Sequence, residues 1–134
     1  MSVNVTYYNA KDCTITVNDV FITGLGEDMI KGAKDEDLFT TNVGAQGDVV
    51  VDEVNNTLGT ITLMVQATSP QKGMLMDLAK TNTEFPIWVT NKSIGERIGG
   101  TKARIKNNPE ITLSAEAEDR EFQIQVFDYT VDAI

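Results

Sequence analysis

The sequence predicts an all-β sandwich or barrel with one helix, and three observations predict it. Apolar and polar residues alternate over most of the chain, as they do in strands with one buried face. Glycine, asparagine and aspartate cut the alternation into short runs with short linkers, so consecutive strands meet in hairpins. One segment instead spaces its apolar residues as a helix does. No compositional shift or internal repeat divides the 134 residues. They read as a single β domain, 1–134, long enough to bury its own core.

Val3 to Tyr8 reads as the first strand. Thr14 to Val17 and Val20 to Thr23 form a hairpin across Asn18-Asp19, whose short polar side chains tolerate left-handed backbone. Gly24 to Gly32 is glycine-rich and aperiodic, a loop. Strands at Asp35 to Thr41 and Asp48 to Val54 flank a second loop, Asn42 to Gly47. Gly59 to Thr68 alternates most regularly, with Ile61, Leu63, Val65 and Ala67 on one face and Thr60, Thr62, Met64, Gln66 and Thr68 on the other.

Ser69 to Lys80 reads as the helix, near residues 70–80. Ser69 stands at the N-cap, Pro70 at the first helical position, and Met74, Leu75, Leu78 and Ala79 form one stripe. Gly73 weakens its first turn by about 1 kcal/mol relative to alanine, so packing must hold it. Strands follow at Glu84 to Asn91 and Thr101 to Lys106. Glu110 to Ala117 alternates again and, after Glu118-Asp119-Arg120, the alternation resumes at Phe122, Ile124 and Val126, which reads as a last hairpin.

Composition excludes most catalytic classes. There is no histidine, hence no Ser/His/Asp or Cys/His relay and no His-bound zinc. Cys13 is alone, which excludes an internal disulfide, a C-x-x-C pair and a thiolate cluster, and fits a reducing compartment. Eleven bases against twenty acids give a net charge of -9. Such a chain does not grip phosphate and is repelled by an anionic membrane. The first residues lack the pattern of a secretory signal, and no apolar run approaches the roughly 18 residues of a membrane span.

The motifs that remain are weak. Asp35-Glu36-Asp37 offers carboxylates for a hard cation, but an EF-hand counted from Asp35 has Thr40 where glycine belongs and Gln46 where glutamate belongs. Gly95 to Lys102 places its lysine after Thr101, the reverse of a P-loop. Gly24-x-Gly26 has Met29 where a dinucleotide fingerprint needs its third glycine. Trp88 offers a sugar-stacking platform, although tryptophan within a strand more often packs. No metal, cofactor or catalytic residue is expected.

The faces opposite the core are more informative. Thr60, Thr62, Gln66 and Thr68 in one strand, and Glu121, Gln123 and Gln125 in another, carry few charges and no lysine. An ordinary solvated sheet face carries lysine and glutamate; this one suits a neighbouring subunit or a lined channel.

Three blocks then carry a resemblance: Val17-Asn18-Asp19-Val20-Phe21-Ile22-Thr23-Gly24, Phe39 to Asp48, and Gly59-Thr60-Ile61-Thr62-Leu63 through Gln66-Ala67-Thr68-Ser69-Pro70. In order and spacing they resemble the tail tube proteins of tailed bacteriophages, contractile ones above all, over Thr14 to Lys80. The resemblance implies a mainly β fold of two packed antiparallel sheets flanked by a helix. It also implies hexameric rings, whose inner strands join into one barrel, stacked into a hollow tube through which DNA passes. A hairpin or loop bridges rings in that family. Its candidate here is Asn42 to Asn56, with Asn42, Val43, Gly44, Ala45, Gln46, Gly47, Asp52, Glu53, Asn55 and Asn56, and Gly24 to Gly32 stands second. Thr60, Thr62, Gln66, Glu121, Gln123 and Gln125 become candidates for the lumen or a subunit face. A neutral or acidic lining lets DNA slide without sticking.

The expected partners are further copies of the chain and the tail sheath, tape measure, baseplate and tail terminator proteins, without membrane anchoring. The expected location is the virion tail, after synthesis in the host cytoplasm. The competing readings are a β-sandwich binding module, carbohydrate-binding or adhesive through Trp88, and, more remotely, a carboxylate-dependent hydrolase.

Overall fold

The computed structural model describes residues 3–134. Its core is built by the predicted alternation. In β6 (Gly59–Val65), Ile61, Leu63 and Val65 are fully buried while Thr60, Thr62 and Met64 face out. In β9 (Arg120–Val126), Phe122 lies opposite Leu63 and Ile124 opposite Ile61. β7 (Phe85–Asn91) buries Phe85, Ile87 and Val89, and β1 (Cys13–Val17) sets Ile15 against Val89 and Val17 against Ile87. A hairpin joins β1 to β2 (Val20–Phe21) with Asn18 and Asp19 at φ 52° and 64°, the left-handed pair of a two-residue turn.

The helix α1 (Lys72–Lys80) inserts Leu75 and Leu78 into the same core. Full burial of one leucine stabilises by roughly 1.5–3 kcal/mol, which outweighs the glycine penalty in its first turn. Ser69 does not cap it. Its hydroxyl donates to the Thr23 carbonyl, and the Gln71 side-chain oxygen accepts from the Thr23 N–H at 2.8 Å. Both side chains tie the helix entrance to the turn after β2 instead.

The remaining strands are β3 (Leu25–Lys34), β4 (Phe39–Val43), β5 (Val49–Glu53), β8 (Glu96–Ile105) and β10 (Thr130–Ala133). Two antiparallel sheets result: an eight-stranded one in the order β2-β1-β7-β8-β9-β6-β3 with β10 also on β8, and the two-stranded β4–β5 hairpin. The large sheet curls on itself, because Ile98 of β8 and Tyr129 before β10 press against Gly32 of β3, and Tyr129 against Gly59 of β6. No helix among the described residues is long and apolar enough to cross a membrane.

The curl originates in β8. Between its pairings Ile87–Gly100 and Phe85–Ala103 it carries one extra residue, so its inward positions shift from Ile98 and Gly100 to Ala103 and Ile105. Along one edge it pairs first with β10 at Glu96 to Gly99, then with β9 at Ala103 to Ile105. In the gap, the Asp128 carboxylate accepts from the N–H groups of Thr101 and Lys102, both at 3.1 Å, and from the Thr101 hydroxyl.

Five expectations are corrected. Gly24 to Gly32 is no loop but most of β3; its glycines serve close packing, since a Cβ on Gly26 would strike Asp119 and one on Gly32 would strike Ile98. Glu110 to Ala117 forms no hairpin with β9, which pairs along one edge with β6 over its whole length and along the other with β8 at Ile124 to Val126; only Leu113 and Ala117 bridge. Val3 to Tyr8 is irregular and exposed, without a ladder partner. The strand expected from Asp35 begins at Phe39, since Asp35 turns back onto β6 and β9. The strand expected from Gly59 to Thr68 stops at Val65, and the Gln66 N–H donates to the Gly24 carbonyl in the following turn.

Burial pushes the Asp128 carboxyl up, but the Thr101 hydroxyl and the N–H groups of Thr101 and Lys102 together hold it below its usual value. A group depressed on folding adds stability above its unfolded value, near 3.8, and loses it as pH falls through the lower folded value. Asp128→Ala is therefore expected to lower stability by about 1–2 kcal/mol at pH 7 and by less at pH 3, read from urea midpoints.

Candidate assembly interface

β8 beyond its bulge, β9, β6 and β3 lie side by side and present one outward face. Across it Thr60 faces Gln125, Thr62 faces Gln123 and Met64 faces Glu121. Five of the six lumen candidates thus sit in two adjacent rows, while Gln66 lies in the turn past β6. The flanking strands add what those two strands do not carry. β3 brings Lys31 opposite Thr62, and β8 brings Arg104 opposite Gln125. Lys106 follows, its Nζ 3.4 Å from the Thr60 hydroxyl.

Asp35 closes one end of this face. It accepts from the Thr60 hydroxyl at 2.7 Å and from Gln125 Nε2 at 2.9 Å. Those two hydrogen bonds, with a smaller contribution from the Lys106 charge, hold its carboxyl below the usual range against slight desolvation. The acid that the sequence offers for a metal is thus an acceptor locked to the sheet. No cluster of metal-ligating side chains occurs among the described residues.

The second feature is the β4–β5 hairpin. Its register pairs Phe39 with Glu53, Thr41 with Val51 and Val43 with Val49, so one face holds Phe39, Thr41, Val43, Val49, Val51 and Glu53. Phe39 is 54% exposed, Val43 69%, Val49 58% and Val51 51%. A two-stranded ribbon is marginal alone in water, and an apolar face left this open needs a covering surface. The opposite face carries Thr40, Asn42, Val50 and Asp52, with Asn42 donating to Asp52 at 2.9 Å. Of the bridging candidates, Asn42, Val43, Asp52 and Glu53 are on the strands, and Gly44, Ala45, Gln46 and Gly47 form the connecting turn. Gly47 takes φ 93° there. Asn55 and Asn56 lie beyond, the Asn56 side chain accepting from the Leu58 N–H.

The third feature is an open edge. β3 ends the large sheet, paired only to β6, with a regular ladder from Ile30 to Lys34 and a register shift between Leu25 and Ile30. Trp88, by contrast, offers no free platform: Arg97 lies over its ring at 4.6 Å from the centroid and pairs with Asp132 at 3.5 Å. Cys13 is half-buried, and burial raises its thiol above the ordinary value, which disfavours the reactive thiolate.

The family model for the Bacteriophage PhiTE tail tube protein matches residues 11–132. The chain belongs to this family. Membership places this tail tube protein in the virion tail, as a structural component. A search of curated proteins finds no match. Among solved structures it resembles the tube-terminating cap of the anti-feeding prophage, at 12% identity and TM-score 0.68 over 100% of this chain and 97% of that one. It also resembles the sheath/tube terminator of the extracellular contractile injection system PVC, at 14% and 0.71 over 98% and 100%. A chain of the sheath-tube complex of that system matches at 14% and 0.66 over 94% and 91%. At these identities the likeness is one of fold.

The flanking bases were visible in sequence as the alternation Lys102, Arg104, Lys106, but only the sheet order shows which face they join. If the hairpin face is an association surface, replacing Val49 and Val51 by threonine leaves monomer stability within about 0.5 kcal/mol. Self-association measured by sedimentation velocity is expected to fall sharply.

Proposed function

We propose that this tail tube protein is a repeating subunit of the tube, forming hexameric rings that stack into a hollow conduit for DNA, and that it performs no catalysis. The open edge of β3, regular from Ile30 to Lys34, carries this reading. An unpaired edge bordering a four-stranded face is a template for a further strand. Pairing with a neighbouring subunit removes that liability, and repetition around a ring continues the face into a closed barrel. Contacts along the stack are then heterologous, so they propagate instead of closing.

In this arrangement Thr60, Thr62, Glu121, Gln123 and Gln125 line the lumen and the β4–β5 hairpin reaches an adjacent ring. Rows of threonine and glutamine give passing phosphates few fixed charges to hold. Sheath, tape measure, baseplate and terminator proteins are the remaining partners, contact with a sheath being supported by the likeness to contractile injection systems. The terminator folds among the structural neighbours support a second reading, in which the chain caps a tube and forms rings that do not stack.

Negative-stain electron microscopy of concentrated protein tests these readings. Stacked rings with a central hole are expected. Rings that never stack favour the cap, and solid filaments or persistent single particles would overturn both. In the assembled particle, Thr62→Lys with Gln123→Lys is expected to slow DNA release and reduce infectivity. Unchanged infectivity would remove these residues from the lumen.

A further inference from the structure

The charges of the chain are segregated in a way that its net value hides. From Asp35 to Gln71 there is no lysine or arginine, while Glu36, Asp37, Asp48, Asp52 and Glu53 lie on or beside the β4–β5 hairpin. From Arg97 to Pro109 there is no aspartate or glutamate, while Lys102, Arg104 and Lys106 are exposed along the outward side of β8. Arg97–Asp132 is the only ion pair among the described residues. Among the described residues, both sets therefore stand without an ion-pair partner.

We propose that the acidic hairpin of one copy docks on the basic strip of β8, Lys102 and Arg104 above all, of a neighbouring copy. This deepens the tube reading and rests on it: it names the surface that receives the bridging hairpin. Three observations favour a second copy as the occupant. The charges are complementary in sign, and Asp48, Glu53, Lys102 and Arg104 are exposed on both elements. The apolar side of the hairpin, Phe39, Val43, Val49 and Val51, is too open to be stable uncovered, so the contact joins apolar burial to charge pairing. The placement also keeps the two surfaces apart within one chain. The hairpin leaves the sheet at the end of β3, level with Gly59, and the strip lies on β8 at the opposite side of the same four-stranded face. The hairpin of one chain is thus free to meet the strip of another, in the adjacent ring as the tube reading has it. Lys106 contributes less, because Asp35 of its own chain already lies near it.

The test is a charge-swap cycle read on assembly. Asp48→Lys with Glu53→Lys, and separately Lys102→Glu with Arg104→Glu, are each expected to abolish tubes seen by electron microscopy, and the four changes together to restore them. These residues are exposed, and circular dichroism confirms that each variant stays folded. In wild-type assemblies, zero-length carboxyl-to-amine crosslinking is expected to join residues 36–53 of one copy to Lys102 of another. Hollow tubes that form without such crosslinks, or without rescue in the combined variant, would overturn the docking and leave the tube reading standing. Wild-type chains that stay monomeric at every concentration would overturn both.

Discussion

The structure depends on one irregularity, the extra residue in β8 and the carboxylate that satisfies it. A strand without a bulge keeps one face inward along its whole length and has one neighbour per edge. β8 does neither: its inward positions change parity between Gly100 and Ala103, and one of its edges passes from β10 to β9. Such a switch leaves N–H groups without a ladder partner, which a side chain must then supply if the bend is to hold one shape. Asp128 sits where β9 gives way to β10 and takes the two N–H groups of Thr101 and Lys102. Its own chain segment thereby becomes part of the bend. With the kink in place, Tyr129 reaches over the core to Gly59 and Gly32, and Ile98 follows. Those contacts turn an eight-stranded ribbon into a curled sheet with an inside.

The same shift decides what the outside looks like. Because Ala103 and Ile105 point inward after the bulge, Arg104 and Lys106 point outward beside Gln125 and Gln123. A face read from β6 and β9 alone is rows of threonine and glutamine, whereas the folded face has bases on both flanks. In a conduit for DNA, unpaired bases would hold phosphate. Docking of an acidic hairpin on the β8 strip neutralises that flank and leaves the threonine and glutamine rows open, with Lys31 of β3 the base that remains.

What was legible followed from local rules. Period 2 in β6, β7 and β9, the Asn18-Asp19 turn and the leucines of α1 depend on residues near one another in the chain, and each formed as read. The misreadings share another cause. Gly26 and Gly32 resemble loop glycines until Asp119 and Ile98 are known to lie against them. Ile111 and Leu113 alternate like a strand, but both are exposed and β9 takes its partners from β6 and β8. Ser69 resembles a cap until Thr23 is seen to take its hydroxyl. In each case a partner distant in sequence changed what a residue does. The candidate faces divide likewise: the Thr60–Gln125 and Thr62–Gln123 rows were legible as two separate strands, and Asp128 carried no local signal at all.

An apolar ribbon this exposed ought to make the isolated subunit aggregate, and its acids explain how that is restrained. Asp48, Asp52 and Glu53 flank Val49, Val50 and Val51, the arrangement by which charged neighbours keep unavoidable hydrophobic strands soluble. Two hairpins meeting face to face would bring like charges together and repel. Only a basic acceptor relieves that repulsion, and the chain presents one on a different strand. Self-association through this pair of surfaces brings hairpin to strip, and in a stack each copy gives its hairpin to one neighbour and its strip to another. Where the rotation does not close, such a contact leaves a free hairpin at one end of the row and a free strip at the other, and this asymmetry gives a row of identical subunits its direction.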